Sequence, residues 1–416
     1  MTRSARRFAG VTALVTVAAL LAAPARSDPR TPHLRPAENT DEGGIWSLSD
    51  KTEQQAKLSA ERNRDPALNA YVQGLTCKLA AEYCDEIRVY VMDRPFFNAS
   101  MAPNGYTEVW SGLLLRAETE DELAFVLGHE IGHFAENHSI EAQRAMKTRA
   151  NNALALQVLV SAVAMGAAVG SGSPQSASDI MRAAGSVNDL IYLSAIAGYF
   201  SYSRENESEA DTLGFRRMVK AGYDPAAGAE MWRSQIDETA ASTFPKVREA
   251  QARASIFSTH PLSVERVGAL QTLAKGSPAG KTGDRKAYRA VIRPHLAAWL
   301  RDDLRRRDYG ETLALIHRLE SLEEDQGVLA FYRAEAYRQR RGEGDLIRAR
   351  EAYTASVAFV DAPSAAWRNL GDLAAQAGDK AAARSAYETY LVRAPQAQDR
   401  WLVEASLKKL AEGTAT

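Results

Sequence analysis

Residues 122–135 read ELAFVLGHEIGHFA, an apolar-periodic run that contains His129-Glu130-Ile131-Gly132-His133. At 3.6 residues per turn the imidazoles of His129 and His133 stand one above the other on one helix face, close enough to grip a single Zn²⁺. Glu130 sits beside them, placed to take a proton from water bound to that ion. Thr119 in front of the run and Glu122 three residues on form a capping box, so a helix is expected over residues 118–137. Gly132 costs roughly 1 kcal/mol of helix propensity, a loss more easily tolerated where another element crosses closely.

A hydrolytic zinc site needs three protein ligands and one open position, so the chain must deliver a third ligand from elsewhere. The best source is residues 203–211, SRENESEAD, which open a helix after Tyr202. Glu207, Ala210, Asp211 and Gly214 fall on one side of that helix, with Glu205 and Glu209 turned away. Glu207 is therefore the expected third ligand, and Asp211 is placed to accept the second ring proton of a liganding histidine. Small Ala210 and Gly214 let the two helices approach closely. His138, just after the motif, either touches the site or, as the simpler reading, is a solvated helix-end residue, and Trp232 reads as a core residue.

Working outward, Arg3, Arg6 and Arg7 precede an apolar stretch that closes on Ala23-Pro24-Ala25, the layout of a cleaved export signal over residues 1–25. The apolar part is short for a membrane anchor. About 390 residues would remain, enough for two domains. The formal net charge of -1, about -4 without the three signal arginines, gives no electrostatic reason to expect nucleic acid. Cys77 and Cys84 are the two cysteines. An exported chain can oxidise them, but within one continuous helix they would face different sides.

Residues 26–50 read as a flexible arm, rich in Pro, Asp, Thr and Gly. A metallopeptidase domain is expected over 51–274, with helices on both sides of a break at residues 64–66, a strand at 87–92 and another at 106–110 after Pro103-Asn104-Gly105. This second strand either pairs with an extended substrate through main-chain hydrogen bonds or is covered and silent. Residues 154–169 are almost wholly apolar and suit a packed helix, a lid, or a membrane-inserted segment. Further helices are expected over 190–201, over 208–221 and from Pro225 through Trp232. A Gly/Ser/Pro/Lys stretch at 275–286 marks a linker. Beyond it, Ala349 and Tyr353 recur as Ala383 and Tyr387, and Trp367, Leu370, Gly371, Gly378 and Pro395 complete a tetratricopeptide spacing over a domain at 287–416. An unrelated helical bundle is the competing reading. The fold class expected is α+β: a mainly helical zincin domain with a small sheet, then an all-α repeat domain.

These motifs resemble the gluzincin metallopeptidases of the HtpX and CAAX prenyl protease type, nearest to soluble periplasmic members that carry tetratricopeptide repeats. The resemblance covers about residues 65–275. His129, Glu130 and His133 match the family's first ligand, base and second ligand; Glu207 matches the third ligand and Asp211 its supporting acid. Residues 98–114 resemble the strand and turn ahead of the zinc helix, with Asn104-Gly105 replacing the usual Gly-Gly, which makes Asn104, Gly105 and Tyr106 candidate substrate contacts. Thr259-His260-Pro261 and Arg266 match the segment that closes the site. There His260 is an oxyanion donor, a fourth zinc ligand in a latent form, or a structural cap, and Arg266 holds the region or the substrate. The resemblance implies one Zn²⁺ per chain and a periplasmic endopeptidase that hydrolyses misfolded or stalled envelope proteins, with peripheral membrane association an option. The rival is a chaperone or assembly factor that binds clients or assembly machinery through its repeats. A membrane-embedded prenyl-protein protease is disfavoured, because such enzymes need several spans.

Overall fold

The computed structural model describes residues 27–170, 202–252, 262–278 and 283–412, together with Ser173, Ser178, Ile180, Met181, His260 and Gly280. In chain order come α1 (Asp41–Leu58), α2 (Pro66–Leu79), a 3-10 turn (Ala81–Tyr83), β1 (Arg88–Met92), β2 (Ala99–Met101), β3 (Tyr106–Trp110), α3 (Ser111–Arg116), α4 (Glu120–Ala135) and α5 (His138–Gly170). Then follow α6 (Arg204–Lys220), α7 (Ala227–Ala240), α8 (Pro245–Ala252) and α9 (Val264–Lys275). The C-terminal region adds α10 (Arg285–Arg305), α11 (Tyr309–Glu320), α12 (Gln326–Arg340), α13 (Asp345–Ser356), α14 (Ala365–Gln376), α15 (Lys380–Arg393) and α16 (Arg400–Glu412). This is a mainly helical domain with a small sheet, followed by packed helix pairs. The helix expected over 190–201 and the export signal lie outside the described residues.

Helix α4 starts where its cap places it. Thr119 accepts from the Glu122 N–H, while Glu122 reaches one residue past the cap to accept from the Glu118 N–H at 2.6 Å. Behind α4, the apolar positions Leu68, Val72, Leu75 and Leu79 bury the face of α2. The helix ends at Leu79 and Ala80 leaves helical geometry, so Cys84 folds back and forms a disulfide with Cys77. That break removes the objection that one helix would set the two thiols on different sides.

The sheet has the order β1-β3-β2. Parallel pairing with β1 and antiparallel pairing with β2 enclose β3 on both edges. The strand at residues 106–110 is thus paired on both edges, and Asn104, Gly105 and Tyr106 form a packed turn. Asn104 is buried and donates to Asp50 on α1 at 2.8 Å. Gly105 has φ +82° and a Cβ there would strike the Glu86 carbonyl, while the Tyr106 hydroxyl is taken by Glu108. Among the described residues β2 is an outer strand of the sheet. Trp110 N–H donates to Asn98 O and Ala102 N–H to Tyr106 O, so by antiparallel alternation the main-chain groups of Ala99 and Met101 point away from β3.

The expected arm is ordered from residue 27, and its last ten residues already belong to α1, capped by Thr40. Arg30 anchors the stretch. It is buried, donates Nη1 to Pro103 O at 2.7 Å, takes Ala135 O with its N–H, and lays its guanidinium 3.9 Å from the Phe134 ring centroid. Polar composition suggests disorder, but this one arginine joins the stretch to the Pro103 carbonyl and the Glu86 carboxylate through its guanidinium and to the Ala135 carbonyl through its N–H.

The distal half of α5 exposes Val158, Val163, Met165 and Val169 and buries Ala164. Among the described residues no helix is long and apolar enough to cross a membrane. Among the described residues between Lys275 and Arg285, a Cβ on Gly280 would collide with Tyr223 O and one on Gly283 with the Asp121 carboxylate. One apolar cluster then runs from Leu68 through Trp299 and Tyr353 to Ala366. The last helices have their own cluster around Ala383, Tyr387 and Tyr390. Gly371 and Tyr387 meet as the repeat spacing requires, since a Cβ on Gly371 would sit 2.5 Å from the Tyr387 ring.

Candidate metal centre

Helices α4 and α6 pack backbone to backbone. A Cβ on Gly214 would fall 2.6 Å from His129 N, and one on Gly132 would fall 3.1 Å from Ala210 Cα. Absence of side chains at this crossing brings Glu207 against the two histidines. The Nε2 atoms of His129 and His133 are 3.0 Å apart, and Glu207 carboxylate oxygens lie 3.6 Å and 3.4 Å from them. His260 completes the group, with Nδ1 at 3.0 Å from Glu207 Oε1 and 3.2 Å from His129 Nε2. One ligand atom from each of the four residues lies within 4.8 Å of all the others.

The protons in this cluster decide what it fits. His129 Nδ1 lies 2.9 Å from Asp211 Oδ1, and a carboxylate only accepts, so Nδ1 carries the hydrogen and Nε2 offers a lone pair. Glu207 Oε2 is buried without a well-angled hydrogen bond, although Arg266 Nη1 stands 2.6 Å away. Converging lone pairs from two imidazoles and a carboxylate around one point fit a divalent cation with mixed N and O ligands.

Glu130 is buried, with Oε1 3.6 Å from His260 Nε2. Burial pushes its carboxyl above the usual range, against the pull of His260 and His129. Burial acts the same way on Glu207, but the surrounding imidazoles outweigh it and hold that carboxyl well below the usual range. Burial alone would lower His260, yet Glu130 and Glu207 overcome it and raise its pKa. His133 is lowered, chiefly by burial.

Of the two roles open to Arg266, the region or the substrate, its contacts are with the region. Its Nε and Nη2 grip Asp211 at 2.6 Å and 2.7 Å, so it acts on the site through Asp211 and Glu207. Trp232 is more than core: its Nε1 donates to Asp211 Oδ1 at 3.1 Å and its ring meets His129 edge-on. Tyr202 stacks on the His133 ring with centroids 3.9 Å apart. His138 is not solvated; it is buried against His133. Spacing carries no signal for Trp232 or Tyr202, which reach the site only because α7 and the start of α6 pack there.

A helix with two histidines and a glutamate between them, crossed by a second helix that brings a third ligand, defines a zincin-type metallopeptidase centre. The peptidase family M48 model matches residues 62–274, about half of the chain, and the chain belongs to that family. It is 30% identical over 231 residues to a putative beta-barrel assembly-enhancing protease of Vibrio cholerae, covering 54% of this chain and 43% of that protein. It is 25% identical over 229 residues to the beta-barrel assembly-enhancing protease of Escherichia coli K12, covering 54% and 42%. The mitochondrial metalloendopeptidase OMA1 of Arabidopsis thaliana is 25% identical over 227 residues, covering 53% and 37%. Each match thus spans less than half of the relative's own length.

Proposed function

We propose that the protein is a zinc metalloendopeptidase of an exported, oxidising compartment, the periplasm, that cleaves misfolded or stalled envelope polypeptides. The observation that carries this reading is the convergence of His129, His133, Glu207 and His260 on one point with Glu130 at its edge. The names of the bacterial relatives support a substrate among outer-membrane or envelope proteins. The Cys77–Cys84 disulfide supports the compartment.

His129 Nε2, His133 Nε2 and a Glu207 oxygen would hold the ion. When bound, zinc polarises a peptide carbonyl and lowers the pKa of water by many units. Glu130 takes the proton of the attacking water and returns it to the leaving amide nitrogen; its burial favours proton uptake and so suits both halves of that task. Asp211, locked by Arg266 and Trp232, keeps His129 in the tautomer that leaves Nε2 free. An extended substrate strand would add to the outer edge of β2, where Ala99 and Met101 present donors and acceptors.

His260 faces the ligand atoms with Nδ1 and Glu130 with Nε2, which favours the fourth-ligand, resting form among its three readings. Substrate would then enter only after that ring leaves. The same placement favours a second reading, an assembly factor whose repeats bind clients or assembly machinery while proteolysis stays latent.

Metal analysis of the purified protein, with digestion of an unfolded protein by wild type and Glu130→Gln, tests the proposal. One zinc per chain and cleavage by wild type alone is the expected result. Absence of zinc would overturn the reading, and zinc without cleavage would favour the latent form.

A further inference from the structure

His129 is oriented by the Asp211 carboxylate, whereas His133 Nδ1 meets another imidazole: His138 Nδ1, at 3.0 Å. His138 is buried, and its Nε2 faces Glu209 Oε2 at 3.5 Å. We propose that His138 is the positioning residue of His133, accepting the His133 Nδ1–H on its own Nδ1 and anchored in turn through Nε2–H on Glu209. The inference rests on the reading of His133 as a metal ligand.

Two ring nitrogens at this distance form a hydrogen bond only when one carries a hydrogen and the other a lone pair. Glu209 is an acceptor beside His138 Nε2, so the hydrogen of His138 belongs there and its Nδ1 is the lone pair. The hydrogen between the rings then sits on His133 Nδ1. This leaves His133 Nε2 as a lone pair aimed at Glu207 and His129, the form a metal ligand must have. Tyr202 stacks on the His133 ring and pairs its hydroxyl with that of Ser139, the residue after His138.

Backbone geometry makes the contact. In one continuous helix, five residues carry a side chain about 140° round from its starting direction. Asn137 interrupts the helix with φ +55°, and α5 starts at His138, which turns its ring back onto His133. Helix α6 therefore supplies one ligand, Glu207, and the outer support of both histidines: Asp211 directly for His129, and Glu209 through His138 for His133.

The test measures zinc affinity of the full chain by competition with a chromophoric chelator, for wild type, His138→Leu and His138→Asn. His138→Leu should weaken zinc about 10–100-fold, the usual effect of losing an outer partner of a ligand. His138→Asn should recover most of that loss, because its amide oxygen stands near the former Nδ1 and accepts the same proton. Equal affinity in wild type and His138→Leu would overturn the proposal, as would equal weakening by both substitutions, which marks a packing role. Should His138→Leu not fold, nitrogen-15 spectra of metal-free wild type decide: hydrogen on His133 Nδ1 and His138 Nε2 is expected, and the reverse tautomers overturn it. A wild type that binds no zinc would overturn the ligand reading and this inference together.

Discussion

Glu122, in the first turn of the metal helix, is buried with a single main-chain partner, the Glu118 N–H. Burial pushes its carboxyl up to about 7 from an ordinary 4.5. The folded protein therefore binds this proton more tightly than the unfolded chain does. Its contribution to stability is complete below about pH 4.5 and is lost as pH rises through about 7. Glu122→Gln keeps an acceptor for Glu118 and removes the titration, so the variant's melting temperature should vary less than wild type's between about pH 5 and 8. A slope equal to wild type's would refute this. The grouping of His129, His133 and Glu207 is legible at this level, because helix periodicity fixes which residues share a face. His138 is not, since one left-handed residue, Asn137, reverses what five-residue spacing implies.

Between elements, the closest fit is the crossing of α4 and α6. Gly214→Ala would put a methyl 2.6 Å from His129 N and 2.9 Å from Gly128 C. Backbone cannot yield as a side chain does, so a loss of about 1–3 kcal/mol or more is expected by denaturant unfolding, with weaker zinc binding. Gly74 is the contrast. It lies inside α2 with nothing within 4 Å of where an added methyl would stand, and Gly74→Ala should stabilise by about 0.5–1 kcal/mol. The small residues at 210 and 214 announce the crossing in the sequence. The sheet order does not announce itself: residues 106–110 look like a strand from any side, and only pairing with both β1 and β2 makes β3 central and those two the outer strands.

Across the molecule, the first repeat-region helices complete the metal-helix domain. Arg116, at the end of α3, is buried and pairs with Glu238 on α7 at 2.6 Å and with Asp303 on α10 at 2.8 Å. Arg318 on α11 reaches Glu118, just ahead of α4, at 3.0 Å. Asp303→Ala leaves Arg116 a partner short in a buried site and should cost about 3–5 kcal/mol of unfolding free energy. Truncation before Arg285 also strips Ile292, Leu296, Trp299 and Leu300 from the shared core, and should give a chain without a cooperative melt. Removal of residues 379–416 takes chiefly the separate cluster around Tyr387 and Tyr390; circular dichroism and zinc content should then remain close to wild type.

From the order of residues alone came the paired histidines, the glutamate that joins them, the close helix crossing and the repeat signature, because each depends on local periodicity that chain geometry enforces. The folded molecule alone decided which strand is central, where Arg30, His138, Tyr202 and Trp232 lie, and that the apolar core crosses the Gly/Ser/Pro stretch without a break. Those outcomes depend on contacts between distant segments, where burial and hydrogen-bond satisfaction override what composition suggests nearby.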